Sequence, residues 1–503
     1  MKMSSRWLVA LCVAAAVPVF AEQSQTKDAA PAANAAAAVD LDKHLGTRWY
    51  SATLSNKKVG YASARMAKTT VKGQPAYSSS MKITIVLAAM GQAQELSTTE
   101  KNVYLATGPL VESSASMGIM GEFTGVVEGD KMRLTSVLGG AKSEKLLPAP
   151  AVSLADEIAP LRLILGKPKA GDSVDCSTFD PTAGKTISGK VTVMGTKKML
   201  VHGVDTTVYD VSLKLNDLNF ETPMLIDENG EVLEMSMPVG TMKLVLRRTE
   251  EKQAMDRSTE LVEMLDASTV RPVGDMPDLA GLEVLKLKVS GIADEKCILN
   301  DARQKYTKQN GAYELTLQRD SLPEKPVTIP VKDPAVEQFT KSSEIYQSDN
   351  PELSGKAREI VGDETNAAKT AQKLCLWVFT NVKKKGTLSF SNSLETLHTM
   401  EGDCTEHSAL YVGLCRAVGL PAKMVNGLAY SKTFGAFGGH AWAEVYVGKW
   451  VAVDPTFGEP IANPAHIKLV DSDTYLESAR LLGVVGKLKI EVVKQNGSAG
   501  TQP

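Results

Sequence analysis

Cys404 is the residue of this sequence whose surroundings best suit covalent chemistry. Gly402 and Asp403 precede it as an entry turn, and the apolar run that follows ends near Gly419-Leu420-Pro421. This pattern predicts a helix with Cys404 at or next to its first residue, where unpaired N–H groups and the positive end of the helix dipole favour a thiolate. On a helical wheel Cys404 lies on the predicted buried face, whereas Glu406 is expected to face solvent.

A histidine and an aspartate further along the chain complete the groups that nucleophilic acyl transfer requires. His440 is predicted to open a strand after a flexible loop at Gly435–Gly439, and Asp454 is predicted to close the next strand, Trp450–Thr456. In such a set the thiolate attacks a carbonyl carbon, the imidazole moves the proton, and the carboxylate orients the imidazole. The sequence therefore predicts catalytic roles for Cys404, His440 and Asp454.

The turn between these two strands decides whether the histidine and the aspartate can meet. A two-residue loop at Gly448-Lys449 would place Asp454 on the opposite face of the sheet from His440, because side chains alternate along a strand. A three-residue loop, which pairs Tyr446 with Trp450, or a bulge brings both side chains to one face. We therefore predict such a loop or bulge, with a carboxylate oxygen about 2.6–3.2 Å from one ring nitrogen and the other nitrogen aimed at the cysteine sulfur.

Four blocks of sequence surround these residues: Gly402–His407, Leu414–Ala422, Gly439–Val445 and Trp450–Thr456. Together, in this order, they resemble the transglutaminase-like superfamily over roughly residues 335–475. The resemblance implies a papain-like α/β fold with a Cys–His–Asp triad, which by position is Cys404, His440 and Asp454. The superfamily includes protein cross-linking enzymes, peptidases, deglycosylating amidases and inactive members, and the matching motifs do not distinguish these.

Other residues near the candidate site have more ordinary interpretations. Cys415 and Cys375 are expected in the core, and a disulfide between their helices stays open as an alternative. His407 could tune the site or join a zinc site, which is disfavoured because no second cysteine or carboxylate has suitable spacing. The backbone N–H of Cys404 is the expected oxyanion donor, and Asn392 is a weak candidate for a second donor. We expect neither a cofactor nor a metal.

Residues 47–249 are predicted to form an antiparallel β-rich domain. Turn signals such as Val71-Lys72-Gly73 and Glu128-Gly129-Asp130 separate short β-branched runs. Ser153–Leu165 is the helix predicted there, with Ser153 and Asp156 as a capping-box start. A concave sheet of this kind is expected to act as a scaffold or to hold a ligand or partner. The β runs are Tyr77–Leu87, Glu122–Val127, Met132–Val137, Lys190–Val193, Thr206–Leu215 and Met242–Leu246.

Residues 250–334 are predicted to contain a helical linker and a small second β module. The linker is Glu250–Leu265, and alternating residues over Leu282–Val331 predict the module. After Asp333 the apolar spacing becomes helical, which opens the C-terminal domain, residues 335–480. Residues 481–503 are predicted to be a C-terminal strand with a frayed tail. The predicted helices of the C-terminal domain before Cys404 are Ala335–Tyr346, Ser354–Val361 and Asn366–Val382.

Composition limits the classes of function that fit this chain. Its 503 residues include 56 Lys and Arg against 58 Asp and Glu, so there is no basic footprint for nucleic acid or anionic lipid. Hydrophobic residues make up 43%, as in ordinary globular proteins. Six cysteines in this length exclude a disulfide scaffold. Length and composition together favour a multidomain α+β protein.

The N-terminus is predicted to be an export signal, residues 1–21. Lys2 and Arg6 form a basic start, and the apolar run Trp7–Phe20 is too short to span a bilayer comfortably. Val19-Phe20-Ala21 fits the small-x-small cleavage pattern. Residues 22–46, rich in alanine, are predicted to be a flexible linker. We therefore expect a periplasmic or secreted protein with no transmembrane anchor after cleavage.

The function predicted from these observations is cysteine-dependent acyl transfer on peptide or side-chain amides. Hydrolysis is favoured over transamidation, because no site for an amine donor is evident in the sequence. The expected partner is a protein or peptide substrate, with no nucleic acid. Two alternatives stay open: a protein cross-linking transglutaminase, and a cell-envelope binding or assembly protein whose triad is vestigial.

Overall fold

The computed structural model divides the chain into two compact units, one ending at Glu263 and the other beginning at Met264. It describes residues 39–89, 92–106, 108–118, 121–138, 141–201, 203–216, 218, 220–239, 242–256, 262, 269–292, 294–385, 392–471, 481, 484–485 and 487–493. The predicted export signal and most of the predicted linker lie outside these residues. The end of the linker contains a 3₁₀ helix, Leu41–His44, and the start of the first strand.

The first unit is built on one antiparallel sheet of fourteen strands among its described residues. Neighbours in sequence pair with each other, and the first strand also pairs with the last, so the order is β8-β7-β6-β5-β4-β3-β2-β1-β14-β13-β12-β11-β10-β9. All six predicted runs lie in strands, and the antiparallel sheet predicted here is confirmed. The strands are β1 Gly46–Leu54, β2 Lys57–Val71, β3 Gln74–Ala89, β4 Gln92–Leu105, β5 Leu110–Ser116, β6 Glu122–Glu128, β7 Lys131–Leu138, β8 Ala141–Pro148, β9 Ser173–Asp180, β10 Lys185–Val201, β11 Val204–Leu215, β12 Glu221–Asp227, β13 Val232–Val239 and β14 Met242–Thr249.

Short helices connect β8 to β9, where the sequence predicts one longer helix. The run 153–165 forms two helices, α1 Leu154–Glu157 and α2 Ala159–Leu165. The capping box of Ser153 and Asp156 is confirmed. The helix breaks at Ile158, because Pro160 in the first turn of α2 supplies no N–H to continue the ladder. The predicted helix over residues 250–265 is seen as α3 Glu251–Met255, and most of its remainder lies outside the described residues.

The second unit contains a small four-stranded sheet that matches the predicted second β module in part. Its order is β17-β18-β16-β25, and all its pairs are antiparallel. The fourth strand, β25, comes from the C-terminal segment and not from the predicted module. The strand predicted in that segment is thereby confirmed. The strands are β16 Val284–Ser290, β17 Gln304–Gln309, β18 Ala312–Gln318 and β25 Lys489–Val492.

A larger sheet and four helices among the described residues of this unit hold the candidate site. The sheet has the order β15-β22-β21-β24, with β23 paired to β22. Leucine, valine and alanine side chains of the helices and of β21–β23 form one buried core. The elements are β15 Thr269–Val270, α4 Pro351–Val361, α5 Ala367–Asn381, β19 Lys383–Lys384, α6 Ser393–Thr399, β20 Glu401–Gly402, α7 Cys404–Ala417, β21 Ala422–Ser431, β22 Ala436–Tyr446, β23 Trp450–Val453 and β24 His466–Val470.

Two sequence predictions for this unit are wrong in detail. Only the 3₁₀ helix Glu337–Thr340 forms in the predicted helix Ala335–Tyr346, where no side chain caps the helix start. The predicted flexible loop Gly435–Gly439 is largely strand, since β22 begins at Ala436. Its glycines fit inside the sheet because Gly438 and Gly439 pair with residues of β21 and are buried.

Candidate active site

Cys404 is the first residue of α7, as the sequence predicts. Asp403 caps the helix by accepting the N–H of Thr405 at 2.8 Å. Glu406 completes a capping box, because its Oε2 accepts the backbone N–H of Asp403 at 2.8 Å. The expectation that Glu406 faces solvent is wrong: its side chain is buried. The first thirteen residues of α7 are all buried, so no side of the helix faces solvent over this length. A helical wheel assumes one exposed side and therefore misplaces Glu406.

The Cys404 thiol is held in its neutral form at rest. Burial raises the pKa of Cys404 well above its ordinary value, and the Asp403 carboxylate raises it further. The backbone N–H of Ala441 donates to the sulfur and opposes this shift. The predicted resting thiolate is therefore wrong, because desolvation and the acidic cap outweigh the helix dipole. The thiol needs a base to deprotonate it.

The hairpin of β22 and β23 has the register that the predicted site requires. Tyr446 pairs with Trp450, which leaves a three-residue loop, Val447–Lys449. Gly448 in this loop has φ +107°, a conformation that glycine adopts most easily. The predicted three-residue loop is confirmed, and it places Asp454, just beyond β23, on the face of the sheet that carries His440.

His440 and Asp454 form a buried hydrogen bond. Nε2 of His440 lies 2.7 Å from Oδ2 of Asp454, within the predicted range. The other carboxylate oxygen accepts the backbone N–H groups of Thr456 at 2.7 Å and Phe457 at 3.0 Å. Burial alone would raise the pKa of Asp454, but His440 and a second histidine hold it well below its usual range. Asp454 is therefore an anion fixed on both oxygens.

The second ring nitrogen of His440 was predicted to point at the Cys404 sulfur, loosely in the absence of substrate, and this stays a prediction. Nδ1 has no hydrogen-bond partner among the described residues. The backbone of the next residue, Ala441, nevertheless links the two sides of the site: its N–H donates to Cys404 and its C=O accepts from Ser408 Oγ at 3.1 Å. Cys404 and Ser408 are four residues apart on α7 and so lie on one helix face. The helix and β22 are thereby joined at Ala441, the residue that follows His440.

Sequence reasoning missed two residues around the His440 ring. Phe457 stacks on the imidazole with ring centroids 4.6 Å apart and an interplanar angle of 16°. His466, the first residue of β24, places Nε2 3.0 Å from Oδ2 of Asp454. Gly427 of β21 allows this approach, because a Cβ there would overlap the carbonyl oxygen of Ile467. Phe457 follows Asp454 closely in sequence, but no spacing rule points to His466.

The other residues that the sequence suggested near the site make contacts that support the fold. Nδ1 of His407 lies 2.7 Å from the Asp403 carbonyl oxygen and its Nε2 lies 3.2 Å from that of Val382, so both nitrogens face the backbone, not a zinc site with Cys404. Asn392 caps α6 by accepting the N–H of Glu395 at 2.8 Å. The five cysteines of the described chain are free thiols, so the possible disulfide between Cys375 and Cys415 does not form: Cys176, Cys297, Cys375, Cys404 and Cys415.

One group of side chains in the described part of the chain could hold a metal ion. Donor atoms of His440, Asp454 and His466 all lie within 4.8 Å of one another. The separations from Asp454 Oδ2, 2.7 and 3.0 Å, are hydrogen-bond distances. Ligands of a tetrahedral zinc ion at about 2.0 Å would stand roughly 3.3 Å apart. The present geometry is therefore that of a hydrogen-bonded carboxylate.

Part of the second unit matches a known protein family. Residues 354–455 match the transglutaminase-like superfamily. This part of the chain is a transglutaminase-like domain. It contains the proposed cysteine, histidine and aspartate, the helices α5 to α7, and all but the first three residues of α4. A Haemophilus influenzae protein of uncharacterised function is 27% identical over 154 residues, which cover 25% of this chain. The match spans 41% of that relative's length.

Two solved structures are distantly similar to parts of the chain. A proposed cysteine protease from Cytophaga hutchinsonii is 18% identical, with a TM-score of 0.31, over 44% of this chain and 82% of that protein. The periplasmic domain of TgpA from Pseudomonas aeruginosa is 16% identical, with a TM-score of 0.22, over 36% of this chain and 92% of that domain. Likenesses this distant carry no argument about activity. Separately, none of the helices in the described ranges has the length and apolar character to cross a membrane.

Proposed function

We propose that the transglutaminase-like domain is a cysteine acyl-transfer enzyme that hydrolyses peptide or side-chain amides. The observation that carries this proposal is the buried bond of 2.7 Å between His440 and Asp454, beside a cysteine at the start of a helix. The carboxylate accepts the Nε2 proton, so the neutral ring keeps its Nδ1 lone pair. That lone pair is the base that the neutral Cys404 thiol needs.

The reaction proceeds in two halves. Nδ1 of His440 takes the thiol proton as the Cys404 sulfur attacks the carbonyl carbon of the amide. The tetrahedral intermediate collapses when Nδ1 returns the proton to the leaving amine, which leaves a thioester on Cys404. Water then gives a proton to the same nitrogen and attacks the thioester, which releases the acid and restores the thiol. Asp454 stabilises the imidazolium in both halves.

The start of α7 supplies the electrostatic part of this mechanism. The backbone N–H of Cys404 lies in the first turn of the helix and is the proposed oxyanion donor. A developing negative charge there also interacts favourably with the helix dipole. The side-chain oxygen of Asn392 caps α6, and the role of its amide N–H as a second oxyanion donor stays a prediction.

The proposal also covers the cellular compartment, the class of substrate and the role of the first unit. The basic and apolar N-terminus supports export, with action in the periplasm or outside the cell. The substrate is then a protein or peptide of that compartment, and the antiparallel sheet of the first unit is the proposed binding surface for a ligand or partner.

The test is a search for turnover with mixed peptide and protein substrates. Wild-type protein is expected to release new amino groups, and Cys404→Ala is expected to abolish this release. Cys415→Ala, a change of another buried thiol on the same helix, is the matched control and should retain activity. Added methylamine distinguishes the alternatives: hydrolysis yields free acid, whereas a cross-linking enzyme incorporates the amine. An active Cys404→Ala variant contradicts the proposal, and folded wild-type protein without activity on any substrate favours a binding protein with a vestigial triad.

A further inference from the structure

The first unit contains a cavity of about 520 Å³, bounded by strands β1 to β4, β13 and β14, by the 3₁₀ helix Leu41–His44 and by residues 229–231. Much of its wall is apolar: Tyr50, Met66 and Leu246 line it, and each is less than a tenth exposed. Cavities of this size are typical of sites that bind small molecules. A molecule that fills the cavity must therefore be apolar along its middle.

Strands β1 to β4 place one row of side chains along the wall of this cavity. Arg48 pairs with Ala64, Ala64 pairs with Met81, and Met81 pairs with Glu100. Residues paired in this way point to the same face of a sheet, and all four line the cavity. Neighbouring strands lie about 4.8 Å apart, so Arg48 and Glu100 are at most about 14 Å apart along the row.

The Glu100 end of the row offers acceptors and no positive charge. Nδ2 of Asn102 donates to Oε1 of Glu100 at 3.3 Å, and no cation pairs with this carboxyl in the described part of the chain. Burial raises the pKa of Glu100 well above its ordinary value, and the carboxyl groups of Asp180 and Glu157 raise it further.

Asn102 adds a second acceptor at the same end. It lines the cavity and is 2% exposed, and its Oδ1 has no hydrogen-bond partner among the residues that the structure describes. A buried acceptor without a donor is costly, and a charged donor satisfies it best. Glu100 and Asn102 together therefore fit an ammonium group of a ligand.

The Arg48 end of the row offers a positive charge. Nη1 of Arg48 donates to the backbone carbonyl oxygen of His44 at 2.6 Å, and none of the described acids forms an ion pair with the guanidinium. A guanidinium has five N–H donors in a planar fork that matches a carboxylate. The acids that line the cavity on this side already pair with other cations, Asp40 with Lys43 and Glu231 with Arg248.

We propose that this cavity binds a short apolar peptide, with its free amino terminus against Glu100 and Asn102 and its carboxylate at Arg48. An extended peptide advances about 3.3 Å per residue, so about three or four residues span the row. Ser79 and Asn229 also line the cavity and offer hydrogen bonds to the amide groups of such a peptide. A fatty acid would fill the apolar middle and pair with Arg48, but it has no donor for the other end.

This inference rests on the proposed function in one respect, the binding role of the first unit, and it names the ligand class for that role. The cavity lies within the first unit, whereas Cys404 belongs to the second. Binding at the cavity and chemistry at the cysteine can therefore be measured separately.

Isothermal titration calorimetry of the full-length Cys404→Ala chain with trileucine tests the proposal, because this variant cannot turn the peptide over. N-acetyl-trileucine lacks the ammonium group, and trileucine amide lacks the carboxylate. Each should bind about tenfold more weakly or worse, since each loses a charged hydrogen bond. One protein is compared with three ligands, so loss of the fold cannot imitate this result.

Substitutions at the two ends of the row locate the binding. In the same chain, Glu100→Gln should weaken trileucine about tenfold and leave N-acetyl-trileucine unchanged, and Arg48→Gln should do the same for trileucine and its amide. The matched controls are Glu122→Gln and Arg247→Gln, which change exposed residues of the same sheet and should bind like the parent.

Methyl NMR of methionine-labelled protein gives an independent location. The signals of Met66, Met81 and Met235, which line the cavity, should move when trileucine is added. The signal of Met194, which is exposed on β10, should stay. Unmoved cavity methionines would overturn the proposal even if the peptide binds elsewhere on the chain.

Two other results would also overturn it. Equal affinity for trileucine and N-acetyl-trileucine removes the amino-terminal contact. Decanoate that binds as tightly as trileucine, and equally well to Glu100→Gln, assigns the cavity to a fatty acid. Turnover by the wild-type protein distinguishes the two claims: turnover without trileucine binding refutes only the peptide cavity, and binding as predicted without any turnover refutes the proposed hydrolysis and leaves the cavity assigned.

Discussion

Asp454→Asn is the substitution whose effect can be worked out most fully from the structure. Oδ1 of Asp454 accepts two backbone N–H groups, from Thr456 and Phe457, and the amide oxygen of asparagine can keep both. The new NH₂ group then faces Nε2 of His440, which must offer a lone pair and carry its proton on Nδ1. That tautomer has no base to offer the Cys404 thiol.

The size of this effect follows from the lost charge. At 2.7 Å and an effective dielectric constant near 20, Coulomb's law gives about 6 kcal/mol between an imidazolium and the Asp454 carboxylate. Losing that energy lowers kcat/KM by roughly 10⁴-fold. The fold should persist, because the two amide contacts remain.

Iodoacetamide alkylation of Cys404, followed by peptide mass spectrometry, measures the effect without a known substrate. At pH 8 the rate in Asp454→Asn should fall at least tenfold, to that of the small thiolate fraction that forms without His440. The buried thiol of Cys415 on the same helix is the internal control for unfolding. A variant that is folded and alkylates Cys404 at the wild-type rate would show that Asp454 does not govern the protonation of His440.

Three other outcomes follow from the structure. Cys404 should be alkylated slowly at pH 6 and faster toward pH 9, since burial raises the pKa of its thiol; rapid labelling at pH 6 would indicate a preformed thiolate. Phe457→Ala should lower kcat/KM about two- to tenfold by freeing the His440 ring, with Phe457→Tyr near wild type, and equal rates in both variants would remove the stacking role. Burial raises the pKa of Glu157 to about 7, so its proton stabilises the fold below about pH 4.5 and this contribution is lost as pH rises to about 7. Glu157→Gln should therefore gain up to about 3 kcal/mol in unfolding free energy relative to wild type at pH 8, and urea titrations that show no gain would contradict this sign.

The sequence predicted the geometry of the site better than its environment. The three-residue loop of the β22–β23 hairpin follows from one constraint, that Asp454 and His440 share a face of a sheet with period two. The entry turn at Gly402 and Asp403 likewise located the first residue of α7. These features depend on local spacing, which the sequence carries directly.

The burial of side chains and the pairing of strands distant in the chain could not be predicted from the sequence. Glu406 was expected in solvent because a helical wheel assumes that one side of the helix is exposed. The helix α7 is instead buried on all sides, and the Glu406 carboxylate accepts the backbone N–H of Asp403 in the capping box. The resting thiolate of Cys404 was expected from the helix dipole, whereas desolvation dominates. His466 reaches Asp454 because β24 pairs with β21, a contact that no spacing in the chain specifies.

Trapping the acyl-enzyme tests the central claim most directly. The protein would be mixed with a peptide and protein substrate pool, quenched in acid within milliseconds to seconds, and mapped by mass spectrometry. The proposed mechanism predicts a thioester on Cys404 that disappears with hydroxylamine, is absent from Cys404→Ser, and accumulates far more slowly in His440→Ala. Substrate cleavage that persists in Cys404→Ser, with no adduct on Cys404 in the wild type, would contradict it.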